Sequence, residues 1–204
     1  MYSKNYSSLI DNCYNYLGYK KGIRDDKITL LIEKSLKEIE EISQFKYIYQ
    51  RYDYIIDELN KEPYISFFNG ATEYVISAMT LGYNVERKIK MYSKSNMEYM
   101  VIYDACASAY LEYMSDEFEK KIYENPSYRF CPGYGGSLAS DIFLIKDLIH
   151  PEQIGIEVLK SNILLPQKSM IGIVTNNNGT KKSCKGCLLF NDCKYKKRGI
   201  LCYK

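Results

Sequence analysis

Arg129-Phe130-Cys131-Pro132-Gly133-Tyr134-Gly135-Gly136 gathers a cation, a φ-locked proline, three glycines and two aromatic rings into eight residues. Pro132 fixes its own φ and biases Cys131 toward an extended backbone. The glycines give access to positive φ and let backbone amides approach a ligand closely. Arg129 offers a planar fork suited to a carboxylate or phosphate. Tyr134 adds a flat face and a hydroxyl. Two readings stand side by side at this point: a Pro-Gly turn that only reverses the chain, and the rim of a small-molecule site.

The helix before this stretch is the longest pattern in the chain. Ser95 opens it and Tyr123 closes it, with an expected inward stripe of Met97, Met100, Val101, Asp104, Ala105, Ser108, Leu111, Glu112, Ser115, Phe118 and Ile122. Asp104, Ser108 and Glu112 are four residues apart and stack on one face. A carboxylate on a mostly apolar face is paired, neutralised or bound, unless its head reaches water at the helix edge.

Upstream, residues 6–17 show helical spacing at Leu9, Ile10, Cys13, Tyr14 and Leu17, with Cys13 a core residue. Asp25 or Asp26 caps a second helix running to about Ser43. Residues 45–56 are β-like and aromatic, Tyr64 to Phe68 reads as a short strand, and residues 73–80 as an apolar strand. Asn84 is the expected cap of a helix from Val85 to about Tyr92. Downstream, Ser137 is the expected cap of a helix from Leu138 to Ile149, which His150-Pro151 ends. Ile154 to Leu165 and Ser169 to Val174 read as closing β-like segments. Together these predict an α+β fold: a twisted antiparallel sheet flanked by long helices, with a short cysteine-rich C-terminal tail.

The 204 residues are 46% apolar, enough for one sizeable core, and the net charge of +3 points neither to a nucleic-acid binder nor to an acidic surface. The 22 tyrosines and the absence of tryptophan reflect overall composition more simply than 22 functional rings. The opening residues are polar and no run approaches a membrane span, so a cytoplasmic chain with reduced thiols is expected. His150 is the only histidine, which argues against histidine-based acid–base or metal chemistry.

Asn176-Asn177-Asn178-Gly179 reads as a linker, dividing residues 1–175 from a tail over 176–204. The tail carries Cys184, Cys187, Cys193 and Cys202, with Lys181, Lys182, Lys185, Lys194, Lys196, Lys197 and Arg198 around them. A segment this short cannot bury a core, so a metal is its natural staple. Four thiolates suit zinc or an iron–sulfur cluster, and spacing does not choose between them; free thiols are the plainer alternative.

Arg129 to Tyr134 resembles the R-x-x-P-G-Y motif of the activation domain of cobalamin-dependent methionine synthase, in its small stand-alone form. Tyr16-Leu17-Gly18-Tyr19, Met79-Thr80-Leu81-Gly82, Asp104-Ala105-Cys106-Ala107-Ser108, Ile154-Gly155-Ile156 and Leu165-Pro166-Gln167-Lys168-Ser169 follow in the family's order, so the resemblance spans about residues 10–175. It implies S-adenosylmethionine binding, with Arg129 on the methionine carboxylate, Cys131, Gly133 and Tyr134 along the ligand, and Glu112 as the helix glutamate. The family's N-terminal ligand-contacting aspartate and its paired tyrosines have no match here. The implied role is reductive reactivation of the methionine synthase corrinoid. The implied partners are a separate cobalamin-binding methionine synthase polypeptide and an electron donor such as a flavodoxin or ferredoxin. The contrasting readings are a corrinoid-protein docking module without S-adenosylmethionine binding, and a metal-tailed regulatory protein contacting nucleic acid.

Overall fold

The computed structural model describes residues 4–177, together with residues 191–193 and 197. Its centre is an antiparallel sheet in the order β1 (Lys46–Tyr52), β2 (Tyr74–Thr80), β5 (Ser169–Thr175). β2 lies in the middle and all seven of its residues are buried, as expected of a strand covered on both faces. Side chains alternate across it: Tyr74, Ile76 and Ala78 enter one core, while Val75 belongs to another.

The helices divide between the two sides. α3 (Tyr64–Phe68) and α6 (Asp141–Ile149) pack with Tyr74, Ile76, Ile171 and Ile173 in one core. α1 (Lys4–Tyr16), α2 (Asp26–Ile42) and α4 (Tyr83–Ser95) form a second core with the 26-residue α5 (Met97–Ile122). The later part of α5 reaches the sheet, where Phe118 lies 4.2 Å from the Tyr47 ring and 5.5 Å from Tyr49, centroid to centroid. A two-stranded hairpin, β3 (Glu157–Val158) with β4 (Leu164–Leu165), completes the chain before β5.

The α+β architecture is as the sequence predicts, and four local expectations are corrected. Tyr64 to Phe68 is helical, not extended. Tyr64, Phe67 and Phe68 are its buried residues, at i, i+3 and i+4, and a five-residue apolar run carries too little periodicity to distinguish the two periods. Asn84 does not cap α4; Gly82 precedes the helix at φ 81°, and Asn84 instead donates from its side-chain amide to the Ile42 carbonyl. α5 begins after Asn96, whose side chain accepts from the Tyr99 amide at 3.0 Å. Residues 154–165 are mainly turns, with a 3-10 turn at Pro151–Ile154 and a short hairpin.

The stripe predicted on α5 is correct over its later part, where Leu111, Ser115 and Phe118 are buried, and wrong near its start. Met97 and Val101 are exposed, and Tyr99, Ile102, Tyr103 and Cys106 face inward. The reason is packing on two sides: the first turns meet α1, α2 and α4, whereas the last turns meet the sheet. No single stripe runs the whole length.

Candidate functional site around Arg129

After α5 the chain crosses to the rim of the sheet. Phe130 and Ile173 exchange two backbone hydrogen bonds, each 2.8 Å, and the Ser127 amide donates to the Thr175 carbonyl at 3.0 Å. Alternation along this extended segment sends adjacent side chains to opposite faces. Phe130 enters the α3–α6 core, 4.8 Å from Phe67 and 5.4 Å from Tyr64. Arg129 goes to the α5 side and passes directly over Gly172 of β5. A Cβ built at Gly172 would stand 2.5 Å from Arg129 Cγ. Sequence reasoning gave Gly172 no part; an interior strand glycine is the one signal that marked a close approach there.

The guanidinium then meets α5. Arg129 donates through Nη1 to Glu112 Oε2 at 2.7 Å and through Nη2 to Asp116 Oδ1 at 3.1 Å. Its Nε and Nη2 form a two-pronged pair with the two Glu119 oxygens. Arg129 and Glu119 side chains are 5% and 4% exposed, while Glu112 and Asp116 are each 39% exposed. Glu119 is therefore an internal clamp, and the other two carboxylates form its outer edge. Sequence reasoning placed Arg129 and Glu112 as candidates and missed Asp116 and Glu119. Their spacings from Glu112, four and seven residues, were the available signal.

Three carboxylates share one guanidinium, an excess of two negative charges when all are ionised. Burial, with Asp116 and Glu112 adding repulsion, pushes the Glu119 carboxyl up from the usual 4.5 to about 7, against the pull of Arg129. Burial also works against the charge on Arg129, but Glu119 and Glu112 more than offset it and hold the guanidinium above its ordinary pKa.

The polar ridge continues toward the start of α5. Lys168, its side chain 10% exposed, donates from Nζ to Asp104 Oδ1 at 2.8 Å and to Ser108 Oγ at 2.9 Å. Its backbone carbonyl takes the Leu81 amide at 2.9 Å, which fixes the lysine beside the strand-to-helix turn. Asp104, Ser108, Glu112, Asp116 and Glu119 thus form one ridge carrying two docked cations.

The glycine stretch folds into a turn stitched by its own atoms. Tyr134 donates its amide to the Cys131 carbonyl at 3.1 Å, and Gly133 donates to Ser137 Oγ at 3.0 Å. Ser137 donates to the Tyr134 carbonyl through both its amide and its hydroxyl. That is its place in the fold; it does not cap α6, which begins at Asp141 after Ser140. Gly133, Gly135 and Gly136 all take positive φ, and a Cβ at Gly135 would fall 2.7 Å from the Phe130 ring. Tyr134 is 60% exposed and Cys131 is half-buried, with Cys131 close enough to Arg129 to act on its charge.

Among the described residues, no group of three or more His, Cys, Asp or Glu side chains is arranged to hold a metal ion. Cys193 is described and half-buried, whereas Cys184, Cys187 and Cys202 lie outside the described residues. No described helix is long and apolar enough to cross a membrane.

No family model matches the chain, and no curated protein matches it. A solved structure does: the crystal structure of the MetH reactivation domain bound to AdoHcy, with a TM-score of 0.59 and 12% identity over 85% of this chain and 77% of that one. The chain shares the overall architecture of that domain. At this identity the likeness establishes the architecture; the residues of a site have to be argued from this chain's own geometry.

Proposed function

We propose that this chain binds S-adenosylmethionine on the Arg129 ridge and serves the reductive reactivation of a corrinoid carried by a methionine synthase polypeptide. The observation that carries this is the 2.7 Å contact between Arg129 and Glu112, two residues singled out separately, in a fold shared with a domain bound to AdoHcy. The donor set fits the ligand. A cluster with excess negative charge suits an ammonium and a sulfonium, and the guanidinium fork suits a carboxylate.

Glu112 and Asp116, half-exposed and each on a single guanidinium nitrogen, are the partners a ligand carboxylate can displace, while Glu119 keeps Arg129 in place. The released carboxylates then face the ligand's cationic groups. Cys131, Gly133 and Tyr134 form the rim. Bound there, S-adenosylmethionine would supply a methyl group to the reduced corrinoid on the partner. The protein's contribution is to hold and orient the donor, which is proximity rather than acid–base work. A flavodoxin or ferredoxin would deliver the electron. Cys184, Cys187, Cys193 and Cys202 form a proposed second unit for zinc or an iron–sulfur cluster, and anaerobic metal analysis of the full chain decides between iron, zinc and neither.

One observation favours a second reading. Arg129 already has carboxylates at all three of its nitrogens, as in a structural hub, so the fold could dock a corrinoid protein without holding S-adenosylmethionine. Titration calorimetry separates the two. Saturable binding of S-adenosylmethionine, weakened at least tenfold in Glu112→Gln and Arg129→Lys, supports the first reading. No heat with the folded wild-type chain leaves the docking module.

A further inference from the structure

The central sheet ends differently on its two sides. The Leu81 amide donates to the Lys168 carbonyl at 2.9 Å and the Asn176 amide to the Glu73 carbonyl at 3.4 Å, so odd-numbered residues of β2 turn their backbone groups toward β5. Successive residues of an antiparallel strand alternate the side to which they send both groups. The even-numbered residues of β2 therefore bond β1, through their partners Lys46, Ile48, Gln50 and Tyr52. The same alternation turns the amides and carbonyls of Tyr47, Tyr49 and Arg51 outward. At the β5 edge, outward groups of Ile173 and Thr175 are taken by Phe130 and Ser127. At the β1 edge, no described residue bonds the backbone of Tyr47, Tyr49 or Arg51. That edge is seven residues long, about 23 Å, in unbroken register with β2 and without a proline or bulge. Tyr47 and Tyr49 pack on Phe118, yet stay 49% and 46% exposed. A straight, aromatic edge of this kind is a template for another strand.

We propose that β1 pairs antiparallel with β1 of a second copy of this chain, about a two-fold axis through Tyr49, joining the two sheets edge to edge. The register follows from the strand itself. Outward backbone groups must meet outward ones, so odd-numbered residues oppose odd-numbered residues and the axis passes through a residue rather than between two. Centring it on Tyr49 is the choice that pairs all of Lys46–Tyr52. Each outward amide of one copy then finds a carbonyl on the other: Tyr47 with Arg51, Tyr49 with Tyr49, Arg51 with Tyr47. The side chains agree with this register. On the α5 face Arg51 stands opposite the Tyr47 ring and Tyr49 opposite itself; on the other face Lys46 stands opposite Tyr52 and Ile48 opposite Gln50. Each cation meets an aromatic ring, and no two cations face each other directly. Glu73, 3.6 Å from Arg51, offsets part of the positive charge brought together. Directly opposed residues share a face, so both copies of α5 lie on the same side of the joined sheet. The pairing is independent of any ligand at Arg129.

The test uses the full chain, sedimentation equilibrium and amide hydrogen exchange. The wild type should associate to a dimer as its concentration rises. A residue on a two-fold axis confronts its own copy, so Tyr49→Lys and Tyr49→Glu each set like charges against each other. Each should weaken association by about tenfold, while an equimolar mixture of the two variants should recover it as a mixed dimer. Circular dichroism matching the wild type shows that the variants are folded. In the dimer the amides of Tyr47, Tyr49 and Arg51 should be protected from exchange. Diluting the wild type to monomer should expose those three and leave Ile48 and Gln50, which bond β2, protected. A dimer that persists unweakened in both single variants overturns the pairing. So does a folded wild type that stays monomeric at sub-millimolar concentration. In that monomer, protected Tyr47, Tyr49 and Arg51 amides would show that residues 178–204 of the same chain cover the edge instead.

Discussion

Gly172 decides whether Arg129 can lie where it does. Any side chain there meets the arginine stem at 2.5 to 3.0 Å and the Phe130 carbonyl at 3.2 Å, and neither neighbour is free to retreat. Gly172→Ala is expected to cost about 1–3 kcal/mol in denaturant unfolding, the usual scale of overpacking, and to abolish whatever Arg129 binds. Glu119 gives a pH signature. Its folded pKa of about 7 lies above its unfolded value near 4.5, so the native state holds a proton that the unfolded chain has lost. Its contribution to stability therefore falls as pH rises from 4.5 through about 7. Urea midpoints measured at pH 5 and pH 8 should drop for the wild type, and Glu119→Gln should remove most of that drop. An unchanged drop in the variant would show that groups other than Glu119 cause it.

Among the elements, α5 carries most of the functional argument, and its first turn depends on Asn96. Asn96→Ala removes the acceptor for the Tyr99 amide and should cost about 1 kcal/mol in thermal or urea unfolding, with no effect on ligands at Arg129. The long helices and the central strand were legible because each has enough turns or alternations to state its period. The Tyr64–Phe68 run was not, since five apolar residues satisfy either pattern. The direction of α5's early turns was hidden for a different reason: the helix changes partners midway, and one sequence stripe cannot express two neighbours. At the site, Arg129 and Glu112 were legible from motif and spacing. Glu119 was not, because a charged residue late in a helix ordinarily reads as solvated surface, and only the tertiary meeting with Arg129 makes it internal.

Across the molecule, the ridge on α5 lies between the helical core and the sheet, and Arg129 reaches it from the sheet side. The doubly bonded pair Phe130–Ile173 ties that arrival to the rim of β5. Neighbouring side chains of this one segment are thus rooted in two different places, Phe130 in the apolar core under α6 and Arg129 among the carboxylates. Local fraying cannot free one without pulling the other. The backbone amides of Phe130 and Ile173 should accordingly exchange with deuterium only on the slow timescale of complete unfolding, and any agent that loosens the core under α6 should erode the charge cluster in step.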